Sequence, residues 1–217
     1  TYVDIIGPDG RKWHATRDGS LSGGAGNSAE FVSPICTWDD IPQLQEVLRA
    51  LRSARATVDQ SCSVHVHVDG TTLTLPVLKA LKDIIARREG LIFQMLGTQY
   101  GRRERYCKDF RQALRDRMER ATTMREFQDA WYERHTSTRY YGGYRAADAY
   151  YGGNRYDSTR YYGFNLNSYF YRKTVEFRYF NGTRHAGELK SYIQLRLALV
   201  ASAIVDPTRR RSEVDTA

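Results

Sequence analysis

The chain is poor in cysteine and proline, has few tryptophans and methionines, and contains no long apolar run. Its 217 residues include three cysteines, Cys36, Cys62 and Cys107, an odd number with no C-x-x-C pair. That argues against a disulfide scaffold or a zinc ribbon and favours reduced, buried thiols, so we expect a cytoplasmic protein. The longest apolar stretch, Leu195 to Val205, is about 11 residues and is interrupted by Arg196, against the ~20 a spanning helix needs. No membrane partner is expected. No basic and apolar leader opens the chain, and it starts at Thr1 rather than Met, so N-terminal sequence is expected to be missing. Acidic residues are in deficit: 25 Asp+Glu against 33 Lys+Arg leave a formal charge of +8. Nucleic acid, nucleotides and acidic substrates all suit that balance, which does not choose among them.

What is present suits one folded domain. Hydrophobic residues make up 41% and aromatics 12%, enough for a core and against global disorder. Tyr2–Ile6 and Arg11–Thr16 flank the turn Gly7-Pro8-Asp9-Gly10, the pattern of a hairpin. A glycine- and serine-rich loop over 17–28 leads to a short strand at Ala29–Ser33, closed by Pro34. Ile41, Leu44, Val47, Leu48 and Leu51 share one helical face after Asp39 and Asp40, with Pro42 in the first turn where it is tolerated. Ser61 to Asp69 alternates as a strand, Cys62 and the three valines opposing Ser63, His65, His67 and Asp69. Helices are predicted over 75–89, 106–120 and from Thr123, where Glu126 completes a capping box, to about Glu133. Strands are predicted at Tyr162–Tyr171 and Thr174–Phe180, then a helix over Ala186–Val205. The expected fold is α+β, a mainly antiparallel sheet with helices packed on one face.

Three polar sets stand out. His65 and His67, two apart on a strand, project from the same face about 7 Å apart. Glu176 and Arg178 share the polar face of Thr174–Phe180, a strand whose aromatic setting argues that its charges need partners or ligands. Asp18 sits in a turn and Glu30 enters an apolar strand. Carboxylates, imidazoles and a guanidinium together suit Mg²⁺ or Mn²⁺ with a triphosphate, the acids holding metal and the arginine neutralising a transferred phosphoryl group.

The order of these motifs resembles a family. Asp18-Gly-Ser, Glu30-Phe-Val-Ser-Pro, Cys62-Ser-Val-His-Val-His-Val, Arg102-Arg103 before Tyr106-Cys107, Asn165-Leu-Asn and Thr174 through Thr183 follow the pattern of the amidoligases. These are carboxylate–amine ligases similar in fold and metal site to glutamine synthetase and glutamate–cysteine ligase. The resemblance covers roughly 15–205 and implies a glutamine-synthetase-like sheet whose open polar face forms the nucleotide cleft. It implies ATP-dependent amide formation through an acyl phosphate, with ATP and Mg²⁺ or Mn²⁺ as cofactors. Carried over residue by residue, it makes Asp18, Glu30, His65 and Glu176 metal ligands. Arg178, with Glu176, becomes the catalytic pair, and Arg160, Arg178 and His65 nucleotide contacts. Arg102, Arg103 and Asn167 become substrate contacts. The carboxylate and amine stay unnamed; the acceptor is a small molecule, a peptide or a protein. Family members open with a strand bearing a Gly-x-Glu-x-Glu-like acidic pair, which does not precede Tyr2, so the 1–217 domain is expected to lack its first strand.

Residues 138–163 differ from the rest. Tyr-Tyr-Gly recurs at Tyr140, Tyr150 and Tyr161 with arginines between, an insertion that reads as a tyrosine-rich loop over the cleft or toward a protein partner. Stacking on nucleic-acid bases is the competing reading, weakened by Asp148 and Asp157. Arg209, Arg210 and Arg211 read as a solvated tail. A catalytically silent amidoligase with a structural or assembly role is the other alternative.

Overall fold

The computed structural model describes residues 2–7, 9–23, 27–133 and 156–208. Most of the tyrosine-rich insertion and the arginine tail lie outside them. The fold is α+β, with six strands and seven α-helices among these residues. Contacts divide the chain into two compact units, one of Thr1–Val64 with Asn181–Tyr192 and one of His65–Phe180 with Ile193–Ala217.

The first unit carries a meander in the order β1-β2-β3. β1 (Tyr2–Ile6) and β2 (Lys12–Thr16) pair antiparallel with Ile5 opposite Trp13, as the turn residues predict. Gly10 adopts φ of 76° at that turn, a conformation that suits glycine. β3 (Glu30–Val32) continues the sheet with Phe31 opposite Ala15. Arg11 leaves the hairpin turn to donate to Asp40 and to the Ile35 carbonyl, tying the hairpin to the start of α1 (Ile41–Ser53). On that helix only Ile41 is buried.

The second sheet has the order β4-β6-β5. β4 (Ser63–Asp69) and β6 (Thr174–Asn181) run antiparallel, since Gly182 N donates to Cys62 O and Gly70 N to Lys173 O, both at 2.9 Å, at opposite ends. The expected single sheet is thus two three-stranded sheets. β5 covers only Phe164–Asn165, with Asn165 opposite Glu176. The predicted strand over 162–171 is corrected here: Asn167–Arg172 form helix α6. The Asn165 side chain accepts from Asn167 N at 2.8 Å, giving the backbone a helical start that alternation did not reveal. Lys173, at φ of 61°, then turns the chain into β6.

Besides α6, the helices of this unit are α2 (Leu75–Leu96), α3 (Tyr100–Arg105), α4 (Gln112–Arg120), α5 (Met124–Trp131) and the C-terminal part of α7 (Ala186–Val205). The helix predicted over 106–120 is likewise corrected: it begins at Gln112. Lys108 is drawn into a backbone bridge with Tyr162, and Phe110 N donates to the buried Glu89 at 2.7 Å, so 106–111 spend their hydrogen bonds elsewhere. Thr123 caps α5 by accepting from Glu126 N, while the Glu126 carboxylate turns to Thr122. Val175, Phe177 and Tyr179 on β6 are fully buried. Phe110 gathers Trp131, Tyr162 and Phe164 around it at ring separations of 5.9 to 6.0 Å. Gly163 faces this packing: a Cβ there would stand 2.3 Å from the Tyr179 ring.

Candidate functional site

Opposite that apolar face, the second sheet brings four polar side chains from three adjacent strands onto one carboxylate. Glu176 is nearly buried, its side chain 7% exposed. Its Oε1 meets Arg178 Nη1 at 2.8 Å, His65 Nδ1 at 3.3 Å and His67 Nε2 at 3.6 Å. Its Oε2 accepts from Asn165 Nδ2 at 2.5 Å. Alternation places all of them: the valines of β4 take one face and the histidines the other, while Glu176 and Arg178 oppose Phe177 and Tyr179.

A second layer fixes these groups. Arg178 Nε donates to the Tyr106 carbonyl at 3.0 Å, and Arg102 Nη2 to the Arg178 carbonyl at 3.2 Å. His67 Nδ1 lies 3.0 Å from Thr174 Oγ1 and 3.3 Å from Ser168 Oγ. Those hydroxyls can donate to Nδ1, which assigns the proton of His67 to Nε2, facing the carboxylate; on His65 it is Nδ1 that faces the carboxylate.

The electrostatics follow. Burial would raise the Glu176 pKa, but Arg178 and the two histidines outweigh it and hold the carboxyl below its usual range. Burial, reinforced by Arg178, pushes His65 down to about 3. His67 is lowered chiefly by burial, against the pull of Glu176. The cluster at neutral pH is therefore one carboxylate, one guanidinium and two uncharged imidazoles.

The structure thus brings together His65, His67, Glu176 and Arg178. Arg102 is buried and supports the Arg178 backbone. Arg103 pairs with Asp109 at 2.7 Å and lies over the Phe93 ring at 4.2 Å. Asn167 is buried and accepts from Tyr132 OH. Arg160 lies against Tyr161. Asp18 and Glu30 belong to the first unit, where Asp18 accepts from Ser20 N and Oγ within its own turn and Glu30 lies opposite Thr16. Sequence reasoning assigned no role to Asn165, Ser168 or Thr174. The Asn165-Leu-Asn-Ser168 run, rich in residues that hydrogen-bond local backbone, was the available signal.

Among the described residues no three His, Cys, Asp or Glu side chains are placed to hold a metal ion. Glu176 Oε1 accepts from Arg178 Nη1 at 2.8 Å.

A family model described as "Putative amidoligase enzyme" matches residues 4–200. The chain belongs to the amidoligase family. The family match supports an amide-bond ligase, and the His65–Glu176–Arg178 cluster lies within the matched region. No curated protein and no solved structure matches this amidoligase. Among its described residues no helix is long and apolar enough to cross a membrane.

Proposed function

We propose that this amidoligase joins a carboxylate to an amine at the expense of ATP, which arrives as its Mg²⁺ or Mn²⁺ complex. The carboxylate oxygen attacks the γ-phosphorus, giving an acyl phosphate and ADP. The amine then attacks the acyl carbon, the C–O bond to phosphate breaks, and amide, phosphate and a proton are released. The observation that carries this reading is the buried Glu176–Arg178 pair flanked by two uncharged imidazoles, inside the region matched by the family.

The residues have distinct tasks in it. Ionised Glu176, held from behind by Asn165, keeps Arg178 extended, and Arg178 meets the negative charge that builds up on the transferred phosphoryl group. His65 and His67, being uncharged, hold the Glu176 carboxylate from the β4 side without adding charge to the cluster. A small molecule, a peptide or a protein side chain can serve as acceptor.

Incubating the protein with ATP, Mg²⁺ or Mn²⁺ and pooled amino acids or peptides tests this through ADP and phosphate release. Glu176→Gln should lower turnover by about 100-fold or more, since Arg178 loses its charged anchor. Unchanged turnover in that variant would reject the site. The second reading, a silent amidoligase acting in assembly, is favoured by one observation: Arg178 already satisfies Glu176 Oε1. It predicts no substrate-dependent ADP release from the wild-type protein.

A further inference from the structure

The first unit holds a cavity of about 230 Å³ lined by Trp38, Asp39, Ile41, Pro42, Gln45 and Lys190. Its two walls, the start of α1 and the start of α7, are tied together. Gln45 Nε2 donates to the Ala186 carbonyl at 2.9 Å. Arg11 braces the α1 side by donating to Asp40 Oδ2 at 3.0 Å and to Gln43 Oε1 at 3.1 Å. Ile41 is the buried part of the lining, and Trp38, 55% exposed, is the open part.

Two neighbouring aspartates differ here. Asp40 accepts from Arg11 and, at 2.7 Å, from Thr37 N, whereas the Asp39 side chain makes no hydrogen bond or ion pair among the described residues. The same holds for the Lys190 ammonium, and the Trp38 ring meets no other ring or cation among those residues. Asp39 and Lys190 therefore line one cavity from separate elements, carry opposite charges and do not close on each other.

That charge pattern selects a class of ligand. A phosphate or nucleotide gains Lys190 but is repelled by Asp39; a simple amine gains Asp39 but is repelled by Lys190. A zwitterion gains both: its ammonium meets Asp39 and the π-face of Trp38, and its carboxylate meets Lys190. Ile41, Pro42 and the rest of the indole suit an apolar side chain. Size sets a further limit, since drug-sized ligands occupy ~300–1,000 Å³ and this cavity is smaller. We propose that it binds a free α-amino acid with an apolar side chain. The site lies wholly within the first unit and does not rest on the nucleotide-dependent reading above. Exposed ion pairs are individually weak, so the affinity is roughly millimolar.

The test is titration of the full chain with phenylalanine, N-acetylphenylalanine and phenylalaninamide, without nucleotide, read by saturation-transfer NMR of the ligand. Phenylalanine should bind about fivefold or more tighter than either blocked derivative, since each lacks one charge. Asp39→Asn should weaken phenylalanine by about three- to fivefold and leave N-acetylphenylalanine unchanged. Lys190→Gln should weaken phenylalanine by about as much and leave phenylalaninamide unchanged. Both variants should melt at the wild-type temperature, because neither side chain has a partner to lose. Equal affinity for the three ligands overturns the proposal in favour of a merely apolar cleft. Sensitivity to one charge substitution and not the other overturns it in favour of a simple ion contact. Phenylalanine binding that survives both substitutions and is lost in Glu176→Gln overturns it in favour of the cluster on the second sheet. Absence of saturable binding to the wild type overturns it and leaves the nucleotide reading untouched.

Discussion

The two sheets use the same alternation to opposite ends. In β1-β2-β3, register places Val3, Ile5, Trp13, Ala15 and Phe31 on one face, yet Val3 is 49% and Ile5 and Phe31 each 43% exposed. In β4-β6-β5 the apolar side chains of β6 are wholly buried and the polar face carries a half-hidden charge network. An identical two-residue period therefore yields a lightly covered meander in one case and a site in the other. The difference is what stacks behind the strand: β6 is shielded by aromatic rings from several helices and loops, and its polar face becomes costly to leave unpaired.

That contrast can be broken most forcefully at Phe177. Phe177→Ala removes a fully buried ring that touches Phe164 at 5.7 Å, and should cost about 3–5 kcal/mol in denaturant unfolding. A loss under about 1 kcal/mol would show that the second sheet is no better supported than the first. Next comes Asn165→Ala, which strips a donor from buried Glu176 and an acceptor from the start of α6; about 1–3 kcal/mol is expected, with turnover lost even where the protein stays folded.

The histidines sharpen the comparison through pH. A histidine whose pKa falls on folding stabilises above its unfolded value and loses that contribution in acid. For His65 the window runs from 6.5 down to about 3. The lowered Glu176 pKa works in the same direction below 4.5. Melting temperature should therefore fall as pH drops from 7 to 4, and fall less steeply in His65→Gln; parallel slopes would contradict a buried neutral imidazole. The smallest effect belongs to the first sheet. Phe31→Thr, on a short and half-exposed strand, should change unfolding free energy by no more than about 1 kcal/mol.

These contrasts also explain what was legible beforehand. Hairpin, α1, β4, β6 and the closing helix could be read because turn residues, caps and unbroken periodicity all agree on them. The convergence of His65 and His67 with Glu176 and Arg178 was readable too, since each pair sits on the polar side of an alternating strand. Phe164 to Arg172 misled because its aromatic residues favour strands, while the decisive choice was made by one side chain, Asn165, bonding its own backbone. The break before Gln112 was invisible for a different reason: the competing partners, Glu89 and Tyr162, are far away in sequence. The pairing of Glu176 with Arg178 at 2.8 Å is also a matter of distances that no spacing rule encodes.

Arg196 is the one charge in the apolar run from Leu195 to Val205. It is fully buried on α7, and no acceptor among the described residues reaches its Nε, Nη1 or Nη2. Its guanidinium lies 5.3, 5.2 and 4.6 Å from the rings of Phe177, Tyr179 and Phe180. A helix as uniformly greasy as Ile193–Val205 has little reason to prefer one azimuth over another, because almost any side would bury well. A single cation that is tolerable only among π-faces removes that freedom: rotating the helix by one residue would swing it about 100° away from the rings. The charge thus works as a rotational key, selecting one orientation of α7 at the expense of some stability.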